Sequence, residues 1–380
     1  MDLEILPVTN RSEMKQFIYL PEKIHSNHHT WVPPLYMQEW QYFNERKNPA
    51  FSYCDTALLL ARRGKEVAGR IMGIINHRYN DLRGEKTARF AYLETWEEER
   101  TVHALLAAVE DWAREKGMTR IVGPYGFSDQ DPEGFLIEGF EHRATIVTYC
   151  NFEWMVRFVE SAGYSKDVDY RTYRVLRPPT SSELHRRLAL QEKIIERISR
   201  NGNVELIEFQ SKKTAAKWAK GVFRLMNECF TARGIYGYSP LDEDEMDALL
   251  KQYWSLLDPR FLKVVAKGGE VVGFLIGIPD MTEGIQQARG RLLPFGFLKI
   301  LRARNKARQL DALLAGVKEE YRGLGLIGAL LGKIVLSAYE AGMEVCDSHH
   351  ILETNKNMWM ELERLGGQLY KRFRVYQKGL

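Results

Sequence analysis

The chain is poor in cysteine. Its four cysteines, Cys54, Cys150, Cys229 and Cys346, lie far apart and form no Cys-x-x-Cys pair. That spacing excludes a disulfide framework and a zinc ribbon, and it predicts buried, reduced thiols in a reducing compartment. Long apolar runs are missing as well. The longest, 271–278, is too short to cross a bilayer. The N-terminus, MDLEILPVTNRSE, has neither the basic stretch nor the apolar core of a leader peptide. The expectation is a soluble, cytoplasmic protein. There is no large excess of charge of one sign. Fifty-four Lys and Arg against 50 Asp and Glu leave +4, which is too balanced to indicate a nucleic-acid partner. The lysine-bearing phosphate loop and G-x-S-x-G are both absent. His349-His350 with Glu353 comes nearest to a metal set, but neighbours on a strand point to opposite faces, so no metal is expected.

What is present is a chain of 380 residues, 45% of them hydrophobic, enough for two or three packed domains. Alternation and turn residues predict strands at 3–6, 87–92 and 119–122 and a hairpin at 56–75. Helical spacing predicts 12–26, with Ser12 as N-cap, and 100–116, with Val102, Leu105, Leu106, Val109 and Trp112 on one face. After Pro178-Pro179 and a charged helix at 183–200 the order repeats. E66-V-A-G-R-I-M-G-I74 matches E270-V-V-G-F-L-I-G-I278 at an offset of 204, and N151 to G163 resembles N355 to G367 at the same offset. A duplicated unit with insertions at loops accounts for both. The expected organisation is a first domain at 1–177, a linker helix at 178–203 and a second domain at 204–380.

One stretch of the second half has the local architecture of an anion site. An apolar strand at 313–317 enters a turn containing Arg322, Gly323, Leu324 and Gly325. A helix follows, with Ile327, Leu330, Leu331, Ile334, Val335 and Ala338 on one face. Glycines bring backbone close to a ligand, free helix N–H groups point at it, and Arg322 adds fixed positive charge. V317-K-E-E-Y-R322-G-L-G325-L-I-G328 resembles the pyrophosphate-binding segment of the GNAT acyltransferase superfamily, Arg/Gln-x-x-Gly-x-Gly/Ala. Ile327 stands at the sixth position where the family has Gly or Ala, and Gly328 follows one residue late. The element order of both halves is also similar to that fold. The resemblance implies an α/β (α+β) chain of two tandem GNAT-like domains, each a mixed, mostly antiparallel sheet flanked by helices. It implies an acyl-CoA, acetyl-CoA among them, held by Leu314, Ala315, Gly316, Val317, Arg322, Gly323, Leu324, Gly325, Leu326, Ile327, Gly328 and Asn355. At the matching turn of the first half stand Glu94, Glu97, Glu98 and Glu99, which would repel a pyrophosphate, so no cofactor is expected there.

The resemblance implies acyl transfer to an amine, from a small-molecule or peptide acceptor. The family's acid, a tyrosine, is replaced by Leu362. Tyr370 or Tyr376 is the substitute acid, and Glu353 or Asp347 the base. Arg233, Tyr236 and Tyr238, in the loop TARGIYGYSPLD, are the expected acceptor contacts. The alternative reading is a non-catalytic GNAT-like binding protein, to which Ile327 and Leu362 point. The acidic loop 126–139, with Asp129, Asp131, Glu133 and Glu138, has the sign to select a cationic amine and not a phosphate.

One feature lies outside the repeat. Residues 284–310 carry Arg289, Arg291, Lys299, Arg302, Arg304, Lys306 and Arg308 with no acid, interleaved with Leu292, Leu293, Phe295, Phe297, Leu298, Ile300 and Leu301. Such a segment packs as a solvated helix on its own domain, which is the expectation, or rests on an anionic membrane surface, steers the coenzyme's phosphates or, least favoured, binds nucleic acid.

Overall fold

The computed structural model describes residues 2–202, 204–232, 234–254 and 256–380. In the first half the elements run β1 Leu3–Pro7, α1 Arg11–Ile24, α2 Tyr36–Tyr42, β2 Cys54–Arg63, β3 Glu66–Asn76, α3 His77–Arg83, β4 Thr87–Thr95, α4 Glu99–Glu115, β5 Arg120–Gly123, β6 Phe135–Glu138, α5 Glu153–Ser161 and β7 Ser165–Leu176. Next come α6 Ser181–Gly202, β8 Glu205–Glu208, α7 Lys212–Ala232, α8 Glu243–Tyr253, β9 Leu262–Lys267, β10 Glu270–Pro279, α9 Thr282–Gln287 and α10 Gly296–Asn305. The chain ends with β11 Gln309–Val317, α11 Leu326–Glu340, β12 Val345–Asp347, β13 Ile351–Leu352, α12 Lys356–Arg364 and β14 Gly367–Gly379.

The compact units are not the contiguous domains the sequence suggested. One consists of Met1–Tyr170, Thr282–Arg302 and Lys371–Leu380, and the other of Arg171–Met281 and Ala303–Tyr370. The reason lies in strand pairing. In the first unit β1, β2, β3 and β4 pair antiparallel in sequence, β4 pairs parallel with β5, and β5 pairs with the chain's last residues, Tyr376 to Gly379 of β14. In the second unit β8, β9, β10 and β11 pair antiparallel, β11 pairs parallel with β12, and β12 pairs with Arg174, Val175 and Leu176 of β7. Each sheet is mixed, mostly antiparallel and flanked by helices.

Both units have cores that follow from the helical and strand periods. In the first, Val102, Leu105, Leu106 and Val109 of α4 pack on Ile71 and Ile75 of β3 and on Ala88 and Phe90 of β4. In the second, Leu326, Leu330, Ile334 and Ala338 of α11 pack on Val265, Val272 and Leu310. That burial of whole apolar faces, not helix propensity, stabilises each layer. All four cysteines are buried, and none is in a disulfide.

Local expectations need three corrections. The side chain that caps α1 is that of Asn10, which accepts from the N–H groups of Ser12 and Glu13. Ser12 therefore sits inside the first turn. The strand expected through Glu353 stops at Asp347, because His349 adopts φ 54° and breaks the pleat. The His349 and His350 rings consequently lie 5.0 Å apart, and strand alternation does not separate them. Finally, the basic segment is not one helix: α9 ends at Gln287 and α10 begins at Gly296.

Candidate functional site

The second unit contains a fork. β11 and β12 pair in parallel through Gln309–Val345, Leu310–Cys346 and Asp311–Asp347, and the pairing ends there. Beyond it β11 continues to Val317, paired only on its other edge, with β10. Opposite Ile276 and Gly277 the register slips, leaving Leu313 as an extra residue on β11. A bulge of this kind turns backbone groups out of the ladder at the point where the strands part. An extended chain can add to such an open strand edge through main-chain hydrogen bonds.

Buried charge collects at the fork. Asp311 and Asp347 are both fully buried. Asp347 Oδ1 accepts the His349 N–H at 2.8 Å, and its Oδ2 accepts the Tyr370 hydroxyl. The Arg174 guanidinium lies 3.8 Å from the centre of the Tyr370 ring, and its Nε is buried without a hydrogen-bond partner. Burial, and then the Asp347 charge, push the Tyr370 hydroxyl far above its ordinary range. Tyr370 is therefore neutral at working pH, donates to Asp347, and is a poor proton source for a leaving thiolate. The same burial and the two aspartates push the Cys346 thiol upward.

At the other end of β11 lies the turn. Gly323 and Gly325 have φ +75° and +85°, the left-handed region that favours glycine. Gly325 is the N-cap of α11 and supplies no side chain to cap it, so the first N–H groups of this helix have no side-chain cap. No atom lies near the face a Cβ would occupy at Gly323. At Gly325 that face meets Ile194 of α6, 3.1 Å away, and at Gly328 it meets the Glu361 carboxylate. Arg322 is half-buried, pairs with the exposed Glu319, and donates from Nε to the Val317 carbonyl at 3.3 Å. Cys229 Sγ donates to the same carbonyl at 3.3 Å. A pyrophosphate fits this turn once it takes Arg322 from Glu319, an exposed ion pair of small net worth.

The remaining sequence candidates divide. Leu314, Ala315 and Gly316 lie on β11 past the fork, and Leu326 and Ile327 open α11, with Ile327 packed against the core and Leu324 exposed. Asn355 is the N-cap of α12. Leu362, at the family's tyrosine position, is core. Glu353 falls in the turn after β13, and it is Asp347 that meets Tyr370. Tyr376 is buried in the first unit with its hydroxyl on Glu160. Tyr236 is half-buried. Tyr238 has to be withdrawn as an acceptor contact: it is 0% exposed, edge-on to Phe230 at 5.2 Å, and its hydroxyl donates to Asn227. Arg233 lies outside the described residues. Asp311 and Arg174 were missed. Asp311 is the lone charge of an otherwise apolar strand, and that oddity is the signal that was available, whereas Arg174 stands among the other charges of β7 and gave none.

The first unit holds the matching fork. β4 and β5 pair through Thr87–Arg120, Ala88–Ile121 and Arg89–Val122 and then part. β4 carries a bulge too, where Tyr92 has φ 54°. Here the chain fills its own slot. The Tyr92 N–H donates to the Tyr149 hydroxyl at 3.1 Å, and Arg89 donates to the Gly126 and Phe127 carbonyls at 3.0 and 2.9 Å. Beside it, burial raises Asp129 and Glu133 to about 8, Glu39 to about 7 and Asp131 to about 6.

No family model matches the chain. It is 27% identical over 388 residues to the bacterial ceramide synthase of Caulobacter vibrioides (strain NA1000 / CB15N), covering 100% of this chain and 98% of that protein. It is 25% identical over 378 residues to protein YghO of Escherichia coli (strain K12), covering 97% and 93%. Among solved structures it is similar to a tandem GNAT protein from the clavulanic acid biosynthesis pathway, with TM-score 0.55 and 13% identity over 100% of this chain and 98% of that one. With two bulged forks and a duplicated element order, the chain has the tandem GNAT fold.

Proposed function

We propose that this chain is an acyltransferase that moves a fatty acyl group from coenzyme A to the amine of a long-chain amino lipid. The observation that carries the reading is the open fork of the second unit, with Asp347 and Tyr370 at its apex and the Arg322–Gly325 turn at the far end of the same strand. The acceptor class rests on the full-length similarity to a protein named a ceramide synthase, since a ceramide is the amide of a fatty acid and a long-chain amino alcohol.

In this reading Arg322 and the uncapped start of α11 hold the pyrophosphate, and the open edge of β11 holds the extended arm. The amine nitrogen bonds to the thioester carbonyl carbon, the carbon–sulfur bond breaks, and a proton leaves nitrogen. The hydroxyl of the half-buried Tyr370 takes that proton as it hands its own to the buried Asp347 carboxylate, so the tyrosine stays neutral throughout. The departing thiolate takes a proton from solvent. The leftover Arg174 Nε is a donor for charge that develops on the carbonyl oxygen.

The test is release of coenzyme A thiol from palmitoyl-CoA and acetyl-CoA, with a long-chain amino alcohol or a short amine as acceptor. Thiol release that needs the long-chain amine, and falls about 10²-fold or more in Asp347→Asn, is the expected result. No amide with any pair of substrates contradicts the reading.

A second reading, a non-catalytic binding protein, is favoured by two contacts. The Val317 carbonyl already accepts from Cys229 and Arg322, and Glu361 sits against Gly328 at the start of α11. It predicts tight ligand binding with no thiol release.

A further inference from the structure

The basic segment that the fork does not use is held firmly on one side and bare on the other. On the held side, the Tyr36 N–H donates to the Gly290 carbonyl at 3.0 Å, and Gln286 donates to the Trp31 carbonyl at 2.6 Å. Arg291 binds both Glu22 oxygens, at 2.7 and 2.8 Å, with its guanidinium over the Tyr36 ring. Lys299 Nζ donates to the Gln287 carbonyl, and Gly296 and Ile300 of α10 are buried. The segment is therefore pinned in place.

The bare side is apolar. Among the described residues, five of the 13 exposed large hydrophobic side chains fall between 293 and 301: Leu293 at 70%, Phe295 at 69%, Phe297, Leu298 at 52% and Leu301. On α10, Phe297, Leu298 and Leu301 share one face by helical spacing, opposite Gly296 and Ile300. Met37, directly after Tyr36, is also exposed. Positive charge borders this face. Arg302 and Lys299 are exposed on α10, and from Gly284 to Leu310 the chain has seven basic residues and no acid.

We propose that Leu293–Arg302 is a membrane-surface anchor that lies in the interface of an anionic bilayer, with Leu293, Phe295, Phe297, Leu298 and Leu301 inserted at the headgroup level and Lys299 and Arg302 on the lipid phosphates. Exposed leucine and phenylalanine on a short helix bordered by arginine and lysine are the composition of an interfacial helix, whereas no helix among the described residues is long and apolar enough to cross a membrane. Charge complementarity selects the bilayer over a second copy of the chain. A two-fold contact would set this face against itself and bring Lys299 and Arg302 close to their own equivalents. The proposal is independent of the acyl-transfer reading, because its test contains no substrate.

The experiment is flotation of the full chain with vesicles of phosphatidylcholine alone or with 30% phosphatidylglycerol, at low and high salt, together with size-exclusion chromatography. The expected result is association with the anionic vesicles, at least tenfold weaker with neutral ones and weakened by salt. Leu298→Ser with Leu301→Ser, and separately Phe295→Ser in the loop before α10, should each lower the association severalfold. Lys299→Glu with Arg302→Glu should abolish its lipid selectivity. All these positions are exposed, and unchanged circular dichroism and melting verify that the variants are folded. No flotation of the wild type overturns the proposal. So does equal binding by the folded variants, or a dimer that Leu298→Ser with Leu301→Ser dissociates while the wild type ignores vesicles.

Discussion

The two forks start from the same geometry and end with different contents. In the first unit the slot between β4 and β5 receives the chain's own residues, with the Tyr149 hydroxyl on the bulge N–H of Tyr92 and Arg89 tied to the loop carbonyls. In the second unit β11 runs on past Asp311 paired on one edge only, and the apex holds Asp347, Tyr370 and Arg174. The turn after each strand differs in sign as well. After β11 come Arg322 and two left-handed glycines, while after β4 come Trp96, Glu97 and Glu98, with Glu98 already paired to Arg63. A duplicated fold has the strand bulge in both copies, and the groups around it differ: the chain's own contacts fill the first fork, while β11 keeps one edge without a strand partner past Asp311.

The largest effect should come from emptying the closed fork of its cation. Arg89 is 2% exposed and holds two carbonyls beside the rings of Tyr79 and Tyr125. Arg89→Met takes the donor from the Gly126 carbonyl, leaves the Phe127 carbonyl with Asn76 alone, and removes the cation beside the buried carboxylates. It should destabilise the protein by about 3 kcal/mol, read by urea unfolding, and leave any coenzyme A affinity unchanged. A loss of affinity with little loss of stability would move the ligand to the first unit and reverse the comparison.

A smaller effect should follow pH. Asp129 and Glu133 keep their protons to about 8, and Glu39 to about 7, because burial disfavours their charge, whereas unfolded carboxyls ionise near 4. Above about pH 4 the folded chain thus binds more of these protons than the unfolded one, so stability falls as pH rises, until the groups have ionised near pH 8. His28 acts in the opposite sense. Burial and then His25 lower it to about 4, so its contribution is lost as pH falls below about 6.5. Between about pH 6.5 and 8 the carboxylates set the slope. Melting temperature should decline across that window, and Asp129→Asn should flatten the decline. A rising profile, or no change in the variant, would show that these carboxyls are already ionised in the fold.

Much of the fold was legible because period and offset are local. The matched hairpins 204 residues apart exposed the duplication, and Arg322, Gly323 and Gly325 exposed the turn. Partner choice was not legible. Alternation marks β7 and β14 as strands, but nothing in it tells that the end of β7 pairs with β12 or that the end of β14 pairs with β5. Burial was misjudged where a loop folds inward: Tyr238 sits among Gly and Pro and reads as exposed, yet it is fully buried and its hydroxyl finds the half-buried Asn227 of α7. The Asp347–Tyr370 pair needed a strand that stops early at His349, a backbone event that residue patterns do not record. On α10, spacing identified an apolar face, but only the fold tells whether anything covers it.

The most direct test of the central claim is amide hydrogen exchange with and without palmitoyl-CoA, in the wild type and in Arg322→Glu. The expected result is slower exchange at 312–317 and 322–328, unchanged exchange at 90–98, and loss of the protection in the variant. Protection at 90–98, or none at either fork, would contradict it.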